Sequence, residues 1–182
     1  MQTLTLQRIN ARDFILVLLA SFVICLSGYI SIPLWFTPVP IATQNSVVLL
    51  IGALLGARRG AAATFAFLVQ GSLGLPVFSN GGSGVLHILG PTGGYLIGYL
   101  VAAYVVGAIA ERRNTMASAV FALVAGNLII YLFGASYLSA FVGIDRAFAL
   151  GIVPFLIGDM LKTAVCVKIL HWAGWKKQEI SI

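Results

Sequence analysis

Two charged residues stand three positions apart in an otherwise apolar run, Asp159 and Lys162. On a helix this spacing puts both on one face. An unpaired charge near the centre of a membrane costs at least ~2.5–3.5 kcal/mol on insertion scales, so such residues are functional candidates. A carboxylate acceptor beside an ammonium donor suits a small polar ligand, although a pair that only neutralises itself is a competing reading. For Lys162 a stem that reaches toward the interface weighs equally, and for Lys168, nearer the chain end, that reading suffices. Gln44 and Asn127 are the other notable amides in apolar segments, where hydrogen bonding between helices is the default. Gln44 has the better case as a ligand contact because it adjoins an irregular loop. Tyr95 offers a ring wall and a hydroxyl, or is an ordinary interface tyrosine. His87, without carboxylate neighbours, makes no metal site.

Two irregular segments flank these residues. Residues 31–44 carry Pro33, Pro38 and Pro40, three of the six prolines. Residues 75–95 carry Pro76, Pro91, Asn80 and a series of glycines that includes Gly93 and Gly94. They read as tight turns or as loops folded over a pocket, and the second is favoured because long loops without secondary structure are usually functional. Irregular backbone at membrane depth survives only where protein or a water-filled cavity covers it. Glycines ahead of a helix N-terminus also let backbone amides approach a carboxylate closely. Carboxylate, amides, cation and helix N-termini together suit a small anionic molecule with N–H donors.

The elements that position these groups follow from composition. The chain has 182 residues, 60% hydrophobic and only 9% charged. A soluble domain averages about 25% charged residues, so this chain lacks the means to cover itself in water. No charged residue occurs over 14–57, 60–110 or 114–144. A membrane-spanning helix needs about 20 predominantly apolar residues, so each block holds one or two. Apolar runs that fill both faces exclude a β-barrel. The expected helices are 13–31, 44–57, 60–74, 94–110, 116–140 and 150–173, an all-α bundle of six transmembrane helices forming one domain over 1–182. A structured Gly/Pro-rich loop joins the third and fourth.

Basic residues fix the orientation. Arg8 and Arg12, Arg58 and Arg59, Arg112 and Arg113, and Lys176 and Lys177 occupy alternate connections, while 32–43 and 75–93 have no Lys or Arg. The positive-inside rule then places both termini in the cytoplasm and the irregular loops outside, in a multi-pass protein of the cell membrane. Trp35, Trp172 and Trp175 fall at the expected interfaces. Behind Arg8 and Arg12, the first apolar stretch is long and is followed by several like it, so it reads as a span rather than a signal peptide. Clusters between apolar segments set topology rather than line a groove, so the net charge of +6 does not imply nucleic acid. Cys25 and Cys166 fall within apolar segments and imply neither a disulfide nor a metal framework.

Several chemistries are missing. No G-x-x-x-x-G-K-[ST] phosphate loop, H-E-x-x-H, G-x-S-x-G or paired-carboxylate motif occurs. Energy for uphill transport must then come from an ion gradient or another subunit. An intramembrane enzyme acting through Asp159 and His87 lacks a recognisable acid–base or nucleophile set. No cofactor is expected.

Several strings resemble the BioY family, the biotin-specific S components of energy-coupling factor (ECF) transporters. They are Ser31-Ile32-Pro33, Pro38-Val39-Pro40-Ile41 with Gln44, Gly56-Ala57-Arg58-Arg59-Gly60 and Gly74-Leu75-Pro76-Val77-Phe78. Gly90-Pro91-Thr92-Gly93-Gly94-Tyr95 and the run from Pro154-Phe155 through Gly158-Asp159 to Lys162 are the more specific. The resemblance covers nearly the whole chain in order. It implies a six-helix subunit that binds biotin from outside with high affinity and delivers it through a coupling membrane protein and two ATPase subunits. Under that reading Asp159 accepts a ureido N–H, with Asn80 or Gln44 completing that end. Lys162 or the backbone near Gly93 neutralises the valerate carboxylate, and Phe78, Trp35 and Tyr95 cover the ring. Docking on the coupling protein is implied through a small-x-x-x-small surface on the first helix, aligned with Ser21 and Cys25. An autonomous secondary transporter and an S component for another vitamin remain the alternatives.

Overall fold

A computed structural model describes residues 11–112 and 115–174. Arg8, Arg113, Trp175, Lys176 and Lys177 lie outside the described residues. The elements are α1 (Ala11–Ser27), a two-stranded antiparallel ribbon of β1 (Ser31–Ile32) and β2 (Ile41–Ala42), and α2 (Gln44–Ser72). A 3₁₀ turn at Ser79–Gly81 and the short α3 (Val85–Ile88) lead into α4 (Gly93–Arg112) and α5 (Met116–Val142). The chain ends in α6 (Ile144–Gly151), a 3₁₀ turn at Val153–Phe155 and α7 (Leu156–Trp172).

Four helical stretches are long and apolar enough to cross a membrane: Gln44–Ser72, Gly93–Arg112, Met116–Val142 and Ile144–Trp172. The last takes α6, its turn and α7 together, while α1 has 17 described residues. The boundaries of α4 and α5 fall within two residues of expectation. The main departures are in α2 and α6.

Residues 44–57 and 60–74 were expected as separate helices broken at the arginines, but the break is at Gly56 (φ +82°, ψ 177°). That region of backbone space is essentially restricted to glycine. Arg58 and Arg59 therefore lie in the helix that follows. The chain reverses at Gly56: a Cβ on Gly60 would lie 2.7 Å from the Gly52 Cα, whereas residues eight apart in a straight helix are separated by about 12 Å. The side chain of Glu111 in α4 accepts a hydrogen bond from the Ala57 amide (2.9 Å), satisfying a donor exposed by the reversal. Beside it, Arg59 pairs with Asp13 of α1 at 2.9 Å.

Small residues let the helices approach. A Cβ on Gly52 would strike the Ala103 backbone of α4, and one on Gly98 would crowd Ile130 of α5. Close packing of this kind replaces the hydrophobic drive that lipid cannot supply. Phe67, Leu49, Leu123, Leu138 and Leu170 fill the fully buried core. Phe14, Leu18, Leu19 and Phe22 of α1 and Ile157, Met160 and Leu161 of α7 are exposed, giving the apolar exterior that a bilayer accepts.

Residues 141–149 were expected to be a loop, yet 144–151 are helical. Gly143 (φ +85°) ends α5 and begins α6, and Pro154 in the following 3₁₀ turn separates α6 from α7.

Gly56→Ala should destabilise the protein by about 1–3 kcal/mol, because alanine cannot hold that backbone without strain. Its Cβ would also collide with the Glu111 carboxylate. Gly74→Ala, where φ is also positive but the space is open, should cost less. Thermal melts of the two variants in detergent check the order.

Candidate functional site

A cavity of about 360 Å³ opens at the end of the bundle opposite the Gly56 reversal. Its floor and walls come from α2, α4, α5 and α7, and its rim from the β1–β2 connection and the segment between α2 and α4. That volume lies in the range of small-molecule sites.

Asp159 lies in the first turn of α7 and is 5% exposed. One carboxylate oxygen accepts from the Tyr131 hydroxyl of α5 (2.5 Å) and the other from Lys162 Nζ (2.9 Å). Lys162 also donates to the Ala42 carbonyl of β2 (2.7 Å). The ion pair therefore ties α7 to α5 and to the ribbon. Each carboxylate oxygen keeps a lone pair, and the ammonium keeps one proton, for a ligand.

Tyr95 walls the cavity one helical turn from Tyr99. Its hydroxyl donates to the Gly151 carbonyl (2.7 Å) and its ring fills the notch left by Gly134. Thr37 Oγ1 donates to the neighbouring Leu150 carbonyl (2.9 Å), so the first loop is pinned to the same α6–α7 corner.

Asn80 reaches the rim in a left-handed conformation (φ +59°). Its backbone amide donates to Ser31 Oγ (2.9 Å), which donates back to Asn80 Oδ1 (2.7 Å). The two loops are thereby latched, and the Asn80 side-chain N–H₂ has no partner among the described residues. His87 also lines the rim, with its ring stacked on Phe78 at 5.1 Å and 18°. Burial holds its pKa below the usual histidine value, which favours the neutral ring at pH 7.

The cavity thus gathers Asp159, Lys162, Asn80 and Tyr95. The other expected site residues lie elsewhere. Gln44 is fully buried; its amide donates to the Ile24 and Val77 carbonyls and accepts from Ser79 Oγ, so it braces the second loop from behind. Phe78 is buried between Phe67 and His87, in the space that Gly71 leaves open. The Gly93 amide is already donated to the Gly90 carbonyl and is not free for a carboxylate. Trp35 is 96% exposed and does not line the cavity.

Ser21 and Cys25 are also placed differently from the docking expectation. Both are buried, and both bond Gln70 of α2: Gln70 Nε2 donates to Ser21 Oγ (2.8 Å) and the Cys25 thiol donates to Gln70 Oε1 (3.1 Å). These two positions of α1 are occupied within the chain.

The sequence reading missed Asn45, Tyr99 and Tyr131, which line the cavity. The i, i+4 spacing of Tyr95 and Tyr99 was the available signal; Tyr131 and Asn45 carried none that separates them from packing residues. No group of three His, Cys, Asp or Glu that could hold a metal occurs among the described residues.

A family model described as the BioY family matches residues 1–178. A probable biotin transporter BioY of Pyrococcus horikoshii is 38% identical, covering 84% of this chain and 91% of that protein. A biotin transporter BioY of Thermotoga maritima is 39% identical, covering 80% and 86%. The solved S-component for biotin from an ECF-type ABC transporter superposes with a TM-score of 0.79 at 29% identity, covering 89% of this chain and 90% of that one. These relatives are transporters or transporter components, so the reading as an intramembrane enzyme is set aside. The chain belongs to the BioY family.

Proposed function

We propose that the chain captures biotin from the extracellular side as the S component of an ECF-type transporter, binds it with high affinity, and passes it on through a coupling membrane protein driven by two ATPases. It crosses the cell membrane six times with both termini in the cytoplasm. The hairpin at Gly56 turns the single stretch Gln44–Ser72 into two spans, and α1 adds one more. Arg58, Arg59 and Arg112 then collect at one end, with the cavity at the other, as the positive-inside rule requires of an outward-facing site.

The observation that carries the reading is the Asp159–Lys162 pair facing the cavity. A ureido ring presents an N–H directly beside a carbonyl oxygen. Asp159 accepts the first and the remaining Lys162 proton serves the second, without either ion losing its partner. Tyr95, Tyr131 and Phe155 line the space around the bicyclic ring. Asn80 at the rim contributes its free amide protons to the polar part of the ligand. Because the pair neutralises itself, the valerate carboxylate is better placed toward the rim, where water reaches it, than against Lys162.

Asp159→Asn should weaken biotin binding by about 10- to 100-fold in protein that remains folded and inserted, since hydrogen bonds to charged groups contribute ~1.5–3 kcal/mol. Trp35→Ala should leave affinity within about twofold, because the side chain stands clear of the cavity. Equilibrium binding of labelled biotin in detergent checks both, and unchanged affinity in Asp159→Asn would remove that carboxylate from the site. Cells expressing the chain with its coupling module should accumulate biotin, and cells lacking the module should not. Accumulation by the chain alone would favour an autonomous transporter.

A further inference from the structure

Two polar side chains on the inner cavity wall leave their donors without a partner among the described residues. Tyr99 of α4 is 6% exposed and Asn45 of α2 is 8% exposed, so both are more than nine-tenths buried. Both line the cavity together with Asp159 and Lys162. Among the described residues the Tyr99 hydroxyl makes no hydrogen bond, and the Asn45 amide nitrogen donates none. Asn45 Oδ1 has only a long contact from Ser46 Oγ (3.5 Å). The neighbouring polar groups differ. Tyr95 is bonded to Gly151, Tyr131 to Asp159 and Gln44 to two carbonyls. Neither polar group is sealed in the core, where the unpartnered buried atoms among the described residues are Ser118 Oγ and Asn127 Oδ1; the Tyr99 and Asn45 donors are open to the cavity and available to what enters it.

The two groups also have the same bias. With Tyr131 and Lys162 already donating to Asp159, the inner wall offers the Tyr99 O–H, the Asn45 N–H₂ and the last Lys162 N–H as unspent donors, while the Asn80 N–H₂ stands apart at the rim. Asp159 supplies the charged acceptor. A ligand matched to this set has one strongly accepting oxygen next to an N–H, which is the chemistry of a cyclic urea. A urea oxygen polarised toward its oxyanion resonance form has three lone-pair directions, which matches the Tyr99, Asn45 and Lys162 donors.

We infer that Tyr99 and Asn45 are specificity-determining residues that donate to the urea oxygen of the bound ligand, so that the ligand joins α2 and α4 to the ion pair on α7. The assignment rests on the biotin reading and adds to it which ligand atom the protein selects. Replacing that oxygen by an imino group gives a cyclic guanidine that is protonated at neutral pH, so the acceptor becomes a cationic donor while the thiophane ring and valerate chain are unchanged.

The test compares biotin with 2-iminobiotin on the purified full chain, as wild type, Tyr99→Phe and Asn45→Asp. Wild type should prefer biotin strongly. Tyr99→Phe should bind biotin about tenfold more weakly with little loss for 2-iminobiotin, so the preference ratio falls by about the same factor. Asn45→Asp, which replaces a donor by an acceptor, should move the ratio further toward 2-iminobiotin. Equal losses for both ligands, or no change in either variant, would overturn the assignment while leaving the biotin reading intact. Failure of Tyr99→Phe to fold would show the hydroxyl to be structural and would likewise overturn it. Absence of biotin binding by folded wild type would overturn the ligand reading and this assignment together.

Discussion

A carboxylate and an ammonium buried in an apolar bundle must each keep a partner, and that requirement organises one end of this protein. Desolvating two ions is costly unless their geometry is good and their remaining lone pairs and protons are satisfied. Here Asp159 is held by Lys162 and Tyr131, and Lys162 also by the Ala42 carbonyl. Those bonds draw α5, α7 and the β1–β2 ribbon to one point. The cavity exists because they converge there: α7 cannot move away from α5 without uncovering Asp159, and the ribbon cannot lift without releasing a bond from Lys162. The same groups that hold each other retain the valences to hold a ligand.

The loops above the pair are fastened rather than draped. Thr37 ties the first loop to the α6–α7 corner, Ser31 ties it to Asn80, and Gln44 supports the second loop through Val77 and Ser79. Irregular backbone is thereby given partners where a membrane offers few. At the opposite end the economy is similar: Glu111 serves the amide exposed at the Gly56 reversal, and Asp13 meets Arg59. Few charged residues are present, and Asp13, Arg59, Glu111, Asp159 and Lys162 each close a turn or form a pair.

What the sequence disclosed and what it hid follow from this arrangement. Charges inside apolar runs are conspicuous because their cost is independent of detail, so Asp159 and Lys162 were readable. Long uncharged runs located α4 and α5 for the same reason. The hinge was misread because Gly56 and Gly60 flank the arginines alike, and only the backbone angle at Gly56 distinguishes them. α6 was hidden because Asp145 and Arg146 resemble a loop. Among the site residues, type alone did not reveal direction: Gln44 and Phe78 belong to the packing behind the loops, whereas Asn45, Tyr99 and Tyr131 face the cavity. Tyrosine and asparagine in a span are ordinary packing residues until tertiary contacts leave them facing a space.

The central claim is that this cavity is a biotin site, and isothermal titration of biotin into the detergent-purified wild-type chain tests it most directly, with thiamine and riboflavin as competitors. The account predicts tight, saturable binding of one biotin per chain that neither competitor displaces. No biotin heat from protein verified as folded, or displacement by either competing vitamin, would contradict it.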